Sequence, residues 1–209
     1  SVSGFYKTFE NPIELLLRTG TSGQPELYYN NIARANSFGA EFEYRMNLGW
    51  VNRTDSNSVF SRTTFYTNAS YIRSAADLSQ FAGLEEYPGS TRPLQGQSPY
   101  ILNVGLFYES KKDLMINFSY NYVGQRIAIS GSIQEPSVWE NGRHVLDFQI
   151  GKTWNDKYEL KLNCADLLAQ DLVFFQDINK NKRYDKGVDS AWQEITFGQT
   201  ITLNFKYKF

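Results

Sequence analysis

Hydrophobic residues recur at every second position along much of this chain, and the pattern is most regular at its carboxyl end. Phe197, Ile201, Leu203, Phe205, Tyr207 and Phe209 fall on one side, with only Gln199 breaking the row. Gly198, Thr200, Thr202, Asn204, Lys206 and Lys208 fall on the other. A period of two belongs to a β-strand, whose successive side chains point to opposite faces. Soluble strands usually end after about five or six residues, whereas a tilted strand crossing a bilayer needs about nine to eleven. The segment from Phe197 to Phe209 predicts a strand long enough to span.

The same period returns upstream. Phe38, Ala40, Phe42, Tyr44, Met46 and Leu48 oppose Gly39, Glu41, Glu43, Arg45 and Asn47. Tyr100 to Tyr108, Leu114 to Tyr122, Leu146 to Ile150 and Tyr158 to Cys164 alternate in the same way. Two weaker runs, Gly4–Leu17 and Thr63–Arg73, bring the predicted set to eight strands. Pro12 interrupts the first of them, which suits a strand end, an edge or a bulge.

The predicted connections differ in length. Ser110-Lys111-Lys112 and Thr153-Trp154-Asn155-Asp156-Lys157 read as tight polar turns. Long links run over Ser74–Ser98, Arg126–Gly142 and Asp166–Ala191. Short turns on one rim and long loops on the other are the habit of outer-membrane β-barrels, whose short side is periplasmic. On that scheme the last strand descends and the C-terminus is periplasmic. The link at Gly49–Ser61 is longer than the scheme predicts. A soluble antiparallel sandwich would show the same alternation, but strand length and the unequal rims weigh against it.

Composition narrows the class. The chain has 209 residues, 41% of them hydrophobic, with 14 Tyr and 15 Phe and a net charge of -1. No stretch approaches the roughly eighteen apolar residues of a membrane-crossing helix. The mean hydropathy of -0.47 is ordinary, as it is for barrel strands that offer only alternate residues to lipid. Aromatic residues suit the girdles such barrels place at the membrane interfaces. The balanced charge offers nothing to nucleic acid. One cysteine, Cys164, and one histidine, His144, exclude an intrachain disulfide and a multi-histidine metal site. No nucleophile, base or metal set accompanies His144, so no enzyme is expected and no catalytic residue is assigned.

The most suggestive chemical run is Asp177 to Asp189. Asp177, Asn179, Asn181 and Asp185 place oxygen ligands at spacings that mimic the opening of a calcium loop. Lys182 stands where the loop glycine belongs, Val188 where the bidentate Glu belongs, and four Lys or Arg side chains crowd the stretch. An Asx-rich turn without metal is the favoured expectation, with calcium as its competitor. Glu41, Glu43 and Arg45 share one face and are expected to be structural charges of a barrel lumen. Trp139, Trp154 and Trp192, near strand ends, are expected to anchor at the interface. Substrate-binding residues are expected within the three long links.

Several stretches, in order, resemble the C-terminal barrel region of TonB-dependent outer-membrane receptors. Phe5-Tyr6-Lys7-Thr8-Phe9-Glu10-Asn11-Pro12-Ile13-Glu14 resembles the family's F-Y-K-x-F-x-N-P-I-E strand. Tyr29 to Glu43 resembles its Y-x-N-x-x-x-A-x-x-x-G-x-E-x-E strand, and Arg92 to Tyr100 the return of a later strand after an extracellular loop. Asn163-Cys164-Ala165-Asp166-Leu167-Leu168 resembles the penultimate-strand motif. A strand closing on Phe209 resembles the C-terminal signal by which such barrels are handed to their assembly machinery.

The resemblance implies an all-β, antiparallel transmembrane barrel of twenty-two strands with a plugged lumen. Residues 1–209 would be roughly its last third. The plug, the TonB-contacting segment and the other strands would lie outside them. It also implies location in the outer membrane of a Gram-negative bacterium. The implied partners are outer-membrane lipid, the assembly machinery, the rest of the receptor and TonB. Siderophore complexes, glycans, peptides and cobalamin all stay open as the imported nutrient. The alternative is a complete eight-stranded barrel with a structural or adhesion role, in which Gly4–Glu10 would pair with Thr200–Phe209.

Overall fold

The computed structural model describes residues 1–52, 58–81, 91–132, 134–179 and 181–209. Its main element is one long antiparallel sheet, the wall. In order across the sheet it contains β1 (Val2–Glu10), β4 (Arg34–Asn47), β5 (Thr63–Asp77), β7 (Tyr100–Glu109), β8 (Leu114–Val123), β11 (Arg143–Trp154), β12 (Tyr158–Ala165) and β15 (Thr200–Tyr207). The two-residue β6 (Thr91–Arg92) adds to the end of β5. Neighbours in the wall follow chain order, each paired with the next, as in an up-and-down barrel wall.

The wall does not close. β1 and β15 lie at its opposite ends, and β1 pairs with β4 alone, so the small-barrel pairing of the first strand with the last is not formed. Two strand boundaries also differ from expectation. The weak run Gly4–Leu17 is two strands, because Asn11 takes φ 51 ahead of Pro12 and turns the chain out of the wall. The second half, β2 (Ile13–Thr19), pairs instead with β3 (Pro25–Asn31) as a projecting hairpin. At the C-terminus, pairing begins only at Thr200, after Gly198 at φ 71, so the final strand covers eight residues rather than thirteen.

Register sorts the wall into two faces. One row runs Tyr71, Tyr100 and Leu102, Tyr122, His144; the next level gives Phe65, Leu106, Phe118, Phe148, Cys164 and Ile201. Leu162 meets Leu203 and Leu160 meets Phe205 on this same face. The opposite face carries Glu43, Asn68, Asn103, Asn121, Ser119, Asp147, Gln149, Asn163, Asn204 and Lys206. A one-residue slip of any strand would exchange the two sets.

The connections alternate between rims as the sequence predicts. The links 110–113 and 155–157 are tight turns, held by Ser110 N–H to Leu114 O at 2.8 Å and Lys157 N–H to Trp154 O at 3.0 Å. On the same rim, the long 48–62 link coils into 3-10 turns over Leu48–Asn52 and Phe60–Arg62, which accounts for its extra residues. Residues 53–57 of that link, and 82–90 of the Ser74–Ser98 link, lie outside the described residues.

The other long connections leave the opposite rim, and there they build a second structure, the canopy. It contains the β2–β3 hairpin and a four-stranded sheet. That sheet runs β14 (Ser190–Ile195), β13 (Leu172–Gln176), β10 (Val138–Glu140), β9 (Arg126–Ile129). The hairpin joins the sheet through Leu17 N–H to Ser130 O at 2.8 Å and Ser130 N–H to Leu15 O at 3.0 Å. The canopy lies over the polar face of the wall. Ala35, Ser37 and Ala76, which belong to the polar-face rows, are buried beneath it, while Phe38 and Tyr71 beside them are exposed on the apolar face.

Candidate functional site

Two features on the polar side of the wall could meet a solute: the underside of the canopy and the groove below it. The canopy is fixed by one buried ion pair. Glu14 leaves β2 and Arg92 leaves β6, and their side chains are 2% and 4% exposed. Both Arg92 terminal nitrogens donate to the Glu14 carboxylate, and Arg92 also donates to Pro93 O at 3.0 Å. The same carboxylate accepts from Gln95 N–H at 3.1 Å and Ser130 Oγ at 3.5 Å. A buried ion pair is tolerated only when its remaining lone pairs are satisfied in this way.

Gln95 extends the knot. Its Oε1 accepts Leu15 N–H at 2.8 Å, and its Nε2 donates to Leu15 O at 2.8 Å and Ala128 O at 2.9 Å. One side chain thus stitches the hairpin, the 93–98 segment and β9 together. Ser98 pins the wall below, donating to Tyr100 O at 2.9 Å and Gly124 O at 2.8 Å. Glu14, Arg92, Gln95 and Ser130 were not singled out as site residues from the sequence. Three of them sit in stretches quoted for the resemblance, but no local spacing brings positions so far apart in the chain together.

Below the canopy, the wall curves around a groove of about 460 Å³ lined by Glu43, Arg45, Tyr66, Asn68, Asn117 and Gln149. Amides bridge the strands. Asn121 Nδ2 donates to Asn103 Oδ1 and Asn103 Nδ2 to Asn68 Oδ1, each at 2.6 Å. Gln149 donates to Asn163 across β11 and β12. Tyr66 crosses the bare backbone of Gly105 to reach Asn117 Oδ1 at 3.3 Å; a Cβ on Gly105 would stand 2.0 Å from its ring. Glu41 and Glu43 share this face with Arg45 and accept from Ser3 Oγ and Ser1 Oγ of β1, both at 3.4 Å. Such a surface offers donors and acceptors to a polar solute; nothing in it is arranged as nucleophile and base.

The link 166–199 carries the Asx run. Asp177 accepts Asn181 N–H at 3.1 Å and Lys182 N–H at 2.7 Å, and Asn181 Oδ1 accepts Arg183 N–H at 2.8 Å. Asp185 accepts from Asn179 Nδ2 at 2.9 Å and Asn181 Nδ2 at 2.5 Å. Those two amides, with a smaller contribution from the Arg183 charge, hold the Asp185 carboxyl below its ordinary value. Asp189 closes the loop on Ile178 N–H at 3.0 Å and Asp185 N–H at 2.7 Å. The structure therefore brings Asp177, Asn179, Asn181 and Asp185 into one turn. Among the described residues, no three His, Cys, Asp or Glu side chains cluster to hold a metal ion.

The remaining residues fall out as follows. His144 Nδ1 is 2.6 Å from Tyr120 Oη on the apolar face, and its ring stacks on Tyr122 at 4.5 Å. Cys164 stands on the apolar row opposite Phe148 and Ile201. Asp166 ends β12 in a left-handed conformation, φ 54, and holds Arg143. Trp154 and Trp192 are exposed, but Trp139 is not an anchor. It is 6% exposed, packed with Ile127, Val173 and Phe175 in the canopy core.

The fold has known counterparts. A family model described as TonB dependent receptor-like, beta-barrel, matches residues 1–167. Comparison with curated protein sequences gives no match. Among solved structures, the copper transporter OprC superposes with a TM-score of 0.60 at 15% identity, covering 100% of this chain and 28% of that one. The ferric-catecholate import receptor Fiu of E. coli gives 0.59 at 13% identity, covering 100% and 25%. The ferric yersiniabactin uptake receptor FyuA of Yersinia pestis gives 0.55 at 12%, covering 100% and 34%. At such identities the likeness is one of fold, and the chain spans about a quarter to a third of the length of those receptors. With a single antiparallel wall sorted into polar and apolar faces and a family match over most of its length, this chain belongs to the TonB-dependent receptor-like β-barrel family.

Proposed function

We propose that residues 1–209 form the C-terminal portion of the twenty-two-stranded barrel of a receptor that imports an external nutrient, using energy delivered through TonB. The open wall carries this reading. In hydrocarbon every backbone group must find a partner, and β1 and β15 each offer one unpaired edge. Preceding strands of the same receptor would cover β1 and close on β15. An eight-stranded sheet with the shallow curvature of a wide barrel does not close on itself.

In this reading the apolar face meets outer-membrane lipid and the polar face the lumen. The canopy is extracellular, the short turns and the C-terminus are periplasmic, and the plug packs against the Glu43–Arg45–Asn68 groove. The protein is a transporter and not an enzyme. Substrate contacts fall on the canopy links and the groove beneath. Phe209, fully exposed past the end of β15, serves as the assembly signal read by the barrel assembly machinery. The Asp177–Asp189 turn is an Asx turn satisfied by its own backbone N–H groups and by the amides of Asn179 and Asn181. Calcium would have to displace those bonds, so a millimolar calcium titration should leave the melting temperature unchanged.

The test is to isolate the natural gene product from outer-membrane fractions and measure its intact mass. A mass well above the 24.1 kDa of these residues is expected, together with failure of cysteines placed at Tyr6 and Leu203 to cross-link. A mass equal to that figure, with ready cross-linking between the two strands, would favour the complete small barrel. Phe209→Asp should sharply lower the yield of inserted protein, and an undiminished yield would remove Phe209 from the assembly role.

A further inference from the structure

The four-stranded canopy sheet repeats the order of the wall below it. β8 leads through Gly124 and Gln125 into β9, and β10 leads through Asn141 and Gly142 into β11. β12 runs on into β13, and β14 runs on into β15. In the wall these strands lie in the order β8-β11-β12-β15; in the canopy their prolongations lie in the order β9-β10-β13-β14. Each ladder of the wall is therefore taken up again above the rim by the same two strands. The β13–β14 ladder prolongs the β12–β15 ladder, so the free edges of β14 and β15 lie on the same side of the sheet.

The step between the two ladders is built and fixed. Left-handed residues break the strands there: Asp166 at φ 54, Ala169 at φ 46 and Gly198 at φ 71. Arg143, at the top of β11, then holds both ends of the 166–199 link. It donates to the Asp166 carboxylate and, at 3.1 Å, to Gln170 O, and its guanidinium lies 4.7 Å from the centre of the Phe197 ring. Gln199 Nε2 ties the same ends together by donating to Leu167 O at 2.8 Å. β14 is thus held in place relative to β15.

β14 is the bare margin of the canopy. At the other end of the sheet β9 is joined by the hairpin, whereas β14 pairs with β13 alone. Five of its six residues are exposed, and so is the whole of β15. Trp192, the extra residue of a bulge opposite Phe174 and Phe175, is exposed, and so is Phe197. The backbone shows which groups are free. Val173 O accepts the Asn141 N–H from the β10 side, and Glu194 stands across from Val173. In an antiparallel pair of this kind the polar groups point away from each other, so those of Glu194 face outward. An open strand edge in water is a template for another strand.

Resting on the reading that other strands of the same receptor close on β15, we propose that the closing strand continues above the bilayer and pairs with β14. The occupant is a further segment of the same polypeptide, bent inward opposite Gly198 as the β14–β15 strand is. Continuity selects it over a second copy or a bound peptide. Only residues 196–199 separate the two free edges, so a strand that closes on β15 arrives beside β14. The Arg143 clamp keeps the edge waiting there. The seam of the barrel then runs from the bilayer into the canopy, and Trp192 is covered by the arriving strand.

The experiment uses the full-length natural gene product in lipid nanodiscs. Exchange of the Glu194 amide should be at least about a hundredfold slower than that of an unpaired amide; an unpaired rate overturns the proposal. This measurement needs no substitution. A photoreactive p-benzoylphenylalanine in place of the exposed Trp192 should then cross-link, within one molecule, to a peptide outside residues 1–209. Circular dichroism confirms that the substituted protein is folded. A cross-link between copies, a cross-link to a different protein, or no cross-link overturns the proposal. The same photoreactive residue in place of Thr202, in β15, separates the underlying reading. If Thr202 reaches a segment outside residues 1–209 and Trp192 does not, the prolonged seam alone is wrong. If neither does, the open-wall reading fails with it.

Discussion

Wall and canopy are made by the same chain under different rules. Among the described residues, the large buried side chains Leu17, Ile127, Val138, Trp139 and Phe175 belong to the canopy. Along the wall, large side chains such as Phe42, Leu106, Phe118, Leu203 and Phe205 remain exposed. The canopy has a small buried core around Ile127, Trp139, Val173 and Phe175 and a deep ion pair wrapped in hydrogen bonds, while Ile13, Leu27, Tyr29 and Trp192 on its surface stay exposed. The wall has no such core. Its order comes from continuous ladders and from a separation of faces that makes sense only with an apolar solvent on one side. A protein can thus use hydrophobic burial in one half and hydrophobic exposure in the other.

The largest expected effect tests the canopy alone. Glu14→Ala leaves Arg92 buried without its partner, which should cost about 3–5 kcal/mol. Amide exchange of Leu17 and Ser130, which join hairpin to sheet, should speed up by about two powers of ten or more, with the β7–β8 ladder unchanged. An unchanged exchange rate would show that the pair does not organise the canopy.

A matched pair of truncations sets the two solvents against each other. Phe175→Ala opens a cavity in the canopy core and should cost about 3–5 kcal/mol. Phe118→Ala, 44% exposed on the apolar face, should cost far less in a bilayer, because acyl chains fill the space. Similar losses for both in reversible unfolding from vesicles would erase the distinction drawn between the regions.

Charge placement comes next. Leu203→Arg at the middle of β15 should cost about 2–4 kcal/mol in a bilayer, and Asn204→Arg on the adjacent polar-face position much less. Reversal of that order would place the polar face toward lipid.

The smallest effect is confined to the Asx turn. The Asp185 carboxyl is held below its ordinary value of 3.8 by Asn179 and Asn181. A depressed carboxyl contributes when ionised, so its contribution is in place at neutral pH and is lost as the pH falls below about 4, through the lowered folded value. Asp185→Asn should therefore raise proteolysis of the 177–189 turn at pH 7 and remove its change at low pH. The canopy core should not notice.

What could be read ahead of the structure followed the same division. The strands of the wall were legible because each advertises itself locally: a period of two, aromatic residues on one phase and amides on the other. The two faces of the wall and the polar setting of Glu41, Glu43 and Arg45 follow from that phase. The canopy was not legible. Its short strands β2, β9, β10, β13 and β14 alternate too briefly to stand out, and the Gly4–Leu17 run passed for one strand because hydrophobic phase continues across Asn11 and Pro12. Trp139 looked like an interface anchor because position near a strand end does not tell whether a folded loop will cover it.

The sequence by itself determined the class of element, the two faces and the order of the wall, since side-chain phase is a local property of an extended chain. The tertiary structure alone decided which distant residues meet: Glu14 with Arg92 and Ser130, Gln95 with Leu15 and Ala128, Lys152 with the 110–113 turn. It also decided that β1 and β15 stay apart. Closure depends on the curvature and register accumulated over the whole sheet, and no single strand carries that information.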